Sequence, residues 1–195
     1  MSIAYHGSAN LFDHFDPAYI LKGAARCRFG AGAYLSSCYA TAAHYAGASG
    51  RPEKYVYTAV IPDLEEGNHI FSAQPVHPEI VARAEEKLGL SIPEKARSMG
   101  KYFRKWIGNT LIGKGNTVNQ RIGSASPEAE KAASAFLLGI GVVLLVWPKA
   151  QTKPEAGNNY AVLDYGAIRI LQVDSVELDK HGQLIEGSQK TIVKY

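Results

Sequence analysis

Apolar residues along the chain fall into two rhythms. Short alternating or continuous runs at 2–6, 55–61 ("YVYTAVI"), 141–147, 160–164 ("YAVLD"), 167–173 and near 190–194 predict strands. Helical spacing appears at 39–47, 78–88, 94–111 and 127–138. The helix at 127 has a clear start: Ser126 can cap it, Pro127 suits its first turn, and Glu128 complements the dipole. Within 94–111, Met99, Phe103, Trp106, Ile107 and Leu111 form one apolar stripe, which predicts core packing. Lys101, Arg104 and Lys105 turn away from it. The stretches 51–53, 73–78 and 149–159 read as loops, and no internal repeat is present. Several short strands mixed with helices, without βαβ alternation, predict an α+β domain around a mostly antiparallel sheet.

Composition narrows the class. A chain of 195 residues with 46% apolar and 20% charged residues is one globular domain by default. The two cysteines, Cys27 and Cys38, form no CxxC pair, and the six histidines form no HExxH. Neither a metal site nor a disulfide framework is expected, and a reducing, cytoplasmic setting fits. The N-terminus lacks a basic stretch followed by an apolar run, so no signal peptide is expected. The longest apolar run, "AFLLGIGVVLLVW" (135–147), is too short and too glycine-broken for a membrane span, and reads as a helix end feeding a buried strand.

Charge is unevenly spread. The net charge is +3, yet residues 95–123 hold seven Lys or Arg and no acid, leaving the rest at −4. Such a block predicts either a solvated basic face or an anionic partner such as nucleic acid. Two phosphate-site patterns fail on inspection. "GNTLIGKG" (108–115) has Gly115 where a P-loop needs Ser or Thr, and it follows a helix rather than a strand. "GAGAYL" and "GIGVVL" lack the third glycine of a dinucleotide fingerprint, and no G-x-S-x-G elbow exists.

Three elements carry the candidate chemistry. In "YHGS", His6 stands at the predicted end of the first strand, beside a turn beginning at Gly7. In "RFGAGAYLSSCYATAAHYAG" (28–47), Gly30 and Gly32 permit close backbone approach to a ligand. Tyr34 and Tyr45 follow, eleven positions apart, as candidate walls of a slot for a flat cationic ring. In "GNNYAVLDYGAIRIL" (157–171), a polar pair leads into a strand, placing the Asn159 amide at the mouth of the sheet. Of the nearby acids, Glu155 reads as part of a loop over the site, and Asp164 as facing the opposite side of the sheet.

Together these elements resemble the ADP-ribosyltransferase superfamily in its diphtheria-toxin/PARP-like branch, defined by a His–Tyr–Glu triad. His6, Tyr34 and Tyr45 match the family histidine, the triad tyrosine and the second tyrosine of the nicotinamide sandwich. Asn159 stands where the family has glutamate. The resemblance covers roughly 3–60 and 133–172, with "ASAFLLGIGVVLLVW" and "NNYAVLDYGAIRI" similar to bacterial and phage toxin-type members. It implies a split, mostly antiparallel sheet with flanking helices in one domain over 1–195, interrupted by a basic helical insert at about 62–125. It also implies NAD⁺ as substrate without a metal, bound through His6, Gly7, Ser8, Gly32, Tyr34 and Tyr45. Catalysis would rest on His6, Tyr34 and Asn159. The implied activity is transfer of a single ADP-ribose to a macromolecule, protein, RNA or DNA, with release of nicotinamide. Toxin or effector biology, an antitoxin or immunity partner and no membrane association follow from the same resemblance. Two other expectations stand beside it: a catalytically weak NAD-binding module of the same fold, and a nucleic-acid-binding protein acting through 95–123.

Overall fold

A computed structural model describes residues 1–19, 28–114, 126–150 and 153–195, with the side chains of 150 and 153–155 left aside. The protein is a mixed α+β structure. Its strands are β1 (Ser2–Ser8), β2 (Ala33–Ser36), β3 (Tyr55–Ile61), β4 (His69–Phe71), β5 (Leu144–Ala150), β6 (Lys153–Val162), β7 (Arg169–Ser175) and β8 (Lys190–Lys194). Its helices are α1 (Tyr39–Gly47), α2 (Pro78–Leu88), α3 (Glu94–Arg97), α4 (Gly100–Leu111) and α5 (Pro127–Leu138). The strands form one open sheet in the order β4-β5-β6-β2-β1-β3-β7-β8. All neighbours are antiparallel except the edge pair β4–β5.

Alternation along the strands divides the core. On one face, α2–α5 pack over Ile70, Leu145, Ala161 and Leu163, with Phe103, Trp106, Ile107 and Leu137 at the centre. Beside them α1 lays Ala42 and Ala43 against Val56 and Val176. The other face presents Ala4, Leu35, Ala59, Ile61, Leu144, Val146 and Val162, covered by Phe15, Tyr160, Tyr165 and Ile168. α5 is capped by the Ser126 hydroxyl accepting from the Ala129 amide, with Pro127 in its first turn.

Four readings of the chain change. The helix expected over 94–111 breaks at Ser98–Met99, where Met99 is extended. The break lets the first amides of α4 bond outside the helix: Gly100 donates to the Gln74 carbonyl and Lys101 to that of Ser72. A side chain on Gly100 would lie 2.3 Å from the Phe71 carbonyl, so only glycine fits there. The loop expected at 149–159 is instead the hairpin end of β5 and β6, paired from Trp147↔Asn159 to Ala150↔Lys153. Strands β2 and β4 were too short for an alternating pattern to stand out. Finally, β1 runs on through Ser8, so His6 lies inside the strand rather than at its end.

The stretch 62–114 is built into the same core: β4 extends the sheet and α4 packs on α5. The apolar run 135–147 divides as read, between the end of α5 and the start of β5. Among the described residues, no helix is long and apolar enough to cross a membrane.

Candidate functional site

His6, Tyr34 and Asn159 lie on three neighbouring strands, β1, β2 and β6, in the middle of the sheet, with His6 on one face and the other two on the opposite face. β1 pairs with β3 over its whole length, from Ser2↔Ile61 to Ser8↔Tyr55. With β2 it shares one register pair, Tyr5↔Ser36. β1 and β2 are nonetheless hydrogen-bonded neighbours in one continuous sheet.

The imidazole of His6 reaches from β1 to the backbone of β2. Its Nδ1 lies 2.7 Å from the Tyr34 backbone oxygen. A carbonyl can only accept, so Nδ1 carries the hydrogen and Nε2 is left as an acceptor. Phe12, Phe15 and Tyr57 surround the ring edge-on, at centroid distances of 5.8, 5.2 and 6.0 Å. Tyr57 holds the overlying strand–turn in place: its hydroxyl accepts from the Phe12 amide (2.8 Å) and donates to the Asn10 carbonyl (2.9 Å). Burial pushes the His6 pKa below its ordinary value, and the bond to Tyr34 offsets only part of that shift. The ring is neutral at physiological pH, with Nε2 unprotonated.

The Tyr34 ring lies on the opposite face of the sheet from that of His6. Antiparallel partners share a face, so Tyr5, Ser36 and Asn159 lie on one side, joined by Tyr34 two positions from Ser36. Tyr34 packs among the α4–α5 core residues, edge-on to Trp147 at 5.4 Å. Its hydroxyl donates to the Gly30 carbonyl (2.7 Å) and accepts from the Phe29 amide (3.2 Å). Phe29 in turn stacks flat on Trp147, with centroids 4.1 Å apart and 5° between the planes.

Asn159 lies inside β6, opposite Ser36 on β2 and Trp147 on β5, and is 7% exposed. The mouth-of-sheet position expected for it gives way to a strand interior, because β6 begins six residues earlier, at Lys153. None of the hydrogen bonds among the described residues uses its side-chain amide. Asp164 lies past the end of β6 and caps the next turn, accepting from the Gly166 amide at 3.0 Å. Glu155 is part of β6 rather than of a loop, and its side chain lies outside the described residues.

The remaining candidates separate. Tyr45 is on the outer side of α1, 55% exposed, with its ring edge-on to His44. Tyr34 rests instead on Trp147, so the aromatic neighbour that meets it comes from β5 rather than α1. Gly7 is required by packing: a Cβ there would sit 1.8 Å from the Ala42 carbonyl of α1. The close approaches read for Gly30 and Gly32 are made to the protein itself. Gly30, at φ +114°, faces Leu145, and a Cβ on Gly32 would meet the Val162 carbonyl at 2.8 Å. The Ser8 hydroxyl accepts from the Asn10 amide.

Arg104, expected on a solvated basic face, is buried. Its Nε donates to Glu130 Oε2 (2.6 Å) and its Nη2 to Glu130 Oε1 (3.2 Å) and the Arg28 carbonyl (3.2 Å). The absence of acids within 95–123 concealed a partner on α5. Sequence reasoning also missed Phe29 and Trp147. Trp147 ends the apolar run at 135–147, and its position there was the available signal.

At the N-terminus of α1, Cys38 receives a hydrogen bond from Lys149 Nζ at 3.3 Å. Burial raises the thiol pKa, but bonds from Thr41 and Lys149 outweigh it and bring the value down to about 7. Cys27 lies outside the described residues. Among the described residues, no group of three or more His, Cys, Asp and Glu side chains is placed to hold a metal ion.

No family model matches the chain, and no curated protein matches it. One solved structure, described as an anti-CRISPR protein, aligns at a TM-score of 0.38 and 12% identity over 87% of this chain and 95% of that one.

Proposed function

We propose that the protein is an NAD⁺-dependent ADP-ribosyltransferase that transfers a single ADP-ribose to a macromolecule and releases nicotinamide. The observation that carries this reading is the His6–Tyr34 bond from β1 to β2. It fixes the imidazole tautomer and leaves Nε2 free to accept from a ribose hydroxyl. In this reading Asn159, on β6 and on the Tyr34 face of the sheet, bonds a second hydroxyl. Cleavage of a nicotinamide–ribose bond passes through an oxocarbenium-like state, so fixed polar groups on both riboses supply much of the catalysis. The chemistry requires a cationic ring to be gripped while it leaves, and Tyr34, Trp147 and Phe29 form an aromatic cluster on the Asn159 face of the sheet.

The test is incubation with NAD⁺ labelled on the adenylate side, with and without a cell lysate. The reading expects nicotinamide release and label entering protein or nucleic acid; neither product would overturn it. A second reading rests on Asn159 itself. An amide carries no charge and gives up the stronger charge-assisted bond of a carboxylate, which favours a module that binds NAD⁺ but turns it over weakly. Saturable NAD⁺ binding without nicotinamide release separates the two.

A further inference from the structure

The buried ion pair on α4 and α5 does more than close the helix interface. We propose that Arg104, Glu130 and Ser134 are positioning residues that fix the backbone of residues 28–31 and thereby the Tyr34 phenol; the substrate-related part of this proposal rests on the function proposed above.

The contacts form a continuous relay. Glu130 holds the Arg104 guanidinium with two bonds, and the same guanidinium donates to the Arg28 carbonyl. One helical turn along α5 from Glu130, the Ser134 hydroxyl accepts from the Ala31 amide at 2.9 Å. The loop is thus gripped at both ends by side chains from two helices. Between those grips lie the two groups that bind the Tyr34 hydroxyl, the Phe29 amide and the Gly30 carbonyl. Gly30 sits under the Arg104 stem: an added Cβ would be 3.4 Å from Arg104 Cδ and 2.3 Å from Leu145 Cδ1. Arg104, Glu130 and Ser134 are each at least 96% buried, so these bonds form in a medium where their direction is strongly enforced. Aliphatic residues of the same size would pack α4 against α5 equally well; the polar groups account for where the loop backbone goes.

Ser134→Ala tests the relay without placing a charge at risk. Amide hydrogen exchange of the free protein gives a readout independent of any ligand. Exchange at Ala31 and Phe29 should accelerate at least about tenfold, the scale of one lost hydrogen bond with its coupling. The α4 and α5 amides should keep their wild-type rates. In NAD⁺ turnover, KM should rise several-fold. Glu130→Gln keeps shape and one acceptor but strands the buried Arg104 charge, and should exceed Ser134→Ala in both readouts. Unchanged exchange at Phe29 and Ala31 overturns the relay, and faster exchange with an unchanged KM overturns its link to substrate. A wild-type protein with neither NAD⁺ binding nor turnover overturns the proposed function, while the exchange data still decide the relay.

Discussion

On one side of the sheet at the β1–β2 pair, His6 is enclosed by three aromatic rings and makes one directional bond. On the other side, Tyr34 is held through its hydroxyl by a loop that a buried ion pair and a serine grip in turn. The two sides use opposite physics. Packing is non-directional and degrades gradually, whereas a buried polar network is stable only when every member is satisfied. The His6 side should therefore respond to pH, through desolvation of a titratable ring, and the Tyr34 side to loss of any one polar partner.

The largest effect should come from breaking the network. Arg104→Met leaves the Glu130 carboxylate buried without its partner, and should cost about 3–5 kcal/mol in urea unfolding. Adding Glu130→Leu removes the stranded charge and should recover most of that loss. The double variant should still exchange faster at residues 28–31, because the Arg28 carbonyl has lost its donor and only the Ser134 grip remains. Equal damage in the single and double variants would mean that the pair acts through volume, not charge.

Next in size is the site itself. Asn159→Ala should lower NAD⁺ turnover about ten- to a hundredfold, the worth of one neutral hydrogen bond at a reacting centre. Its stability should change little, since no hydrogen bond among the described residues uses the amide. Wild-type turnover in this variant would take Asn159 out of the chemistry, leaving Glu155 on the same strand as the next residue to replace.

The His6 side is tested by pH. Because burial depresses the folded-state pKa, the unfolded chain takes up this proton first as pH falls. The contribution to stability is complete above pH 6.5, the ordinary value, and is lost as pH drops from there toward the lower folded value. One such group contributes a slope of at most about 1.4 kcal/mol per pH unit. His6→Gln should flatten the fall in melting temperature over that window. NAD⁺ affinity should weaken in the same direction in the wild type, since a protonated Nε2 cannot accept. A melting curve in which wild type and His6→Gln run parallel below pH 6.5 would show that His6 is solvated rather than caged.

How much of this was legible in the chain depends on range. Strong local signals are legible: the Ser126 cap, the strand at 55–61 and the helices at 39–47, 78–88 and 127–138. His6, Tyr34 and Asn159 were singled out from separate segments, and the sheet order brings them to adjacent strands. Features set by distant partners were not legible. Arg104 reads as a surface charge because Glu130 is 26 residues away, and Gly7 reads as a turn glycine because the Ala42 carbonyl that fills its space belongs to another element. The Tyr34–Tyr45 slot failed for a related reason. Spacing fixes how far apart two residues can be, but the direction of α1 decides which way Tyr45 points.

The smallest expected effect lies where the two sides meet, at the start of α1. Cys38 follows directly on β2, and its amide donates to the Ser36 hydroxyl, on the residue that registers with both Tyr5 and Asn159. Its thiol should be substantially ionised at neutral pH, because Thr41 and Lys149 favour the thiolate despite burial. In a Cys27→Ser background, the rate of alkylation by iodoacetamide should rise to half its maximum near pH 7, the value to which the thiol is lowered. Lys149→Gln removes one donor and one positive charge, and should move that midpoint upward, toward the ordinary thiol value of 9.0. Urea unfolding at pH 7 should barely change, since an exposed lysine contributes little to the fold. A midpoint that stays near 7 in Lys149→Gln would assign the thiolate to Thr41 and the helix N-terminus alone, and would separate Cys38 from the β5–β6 side of the sheet.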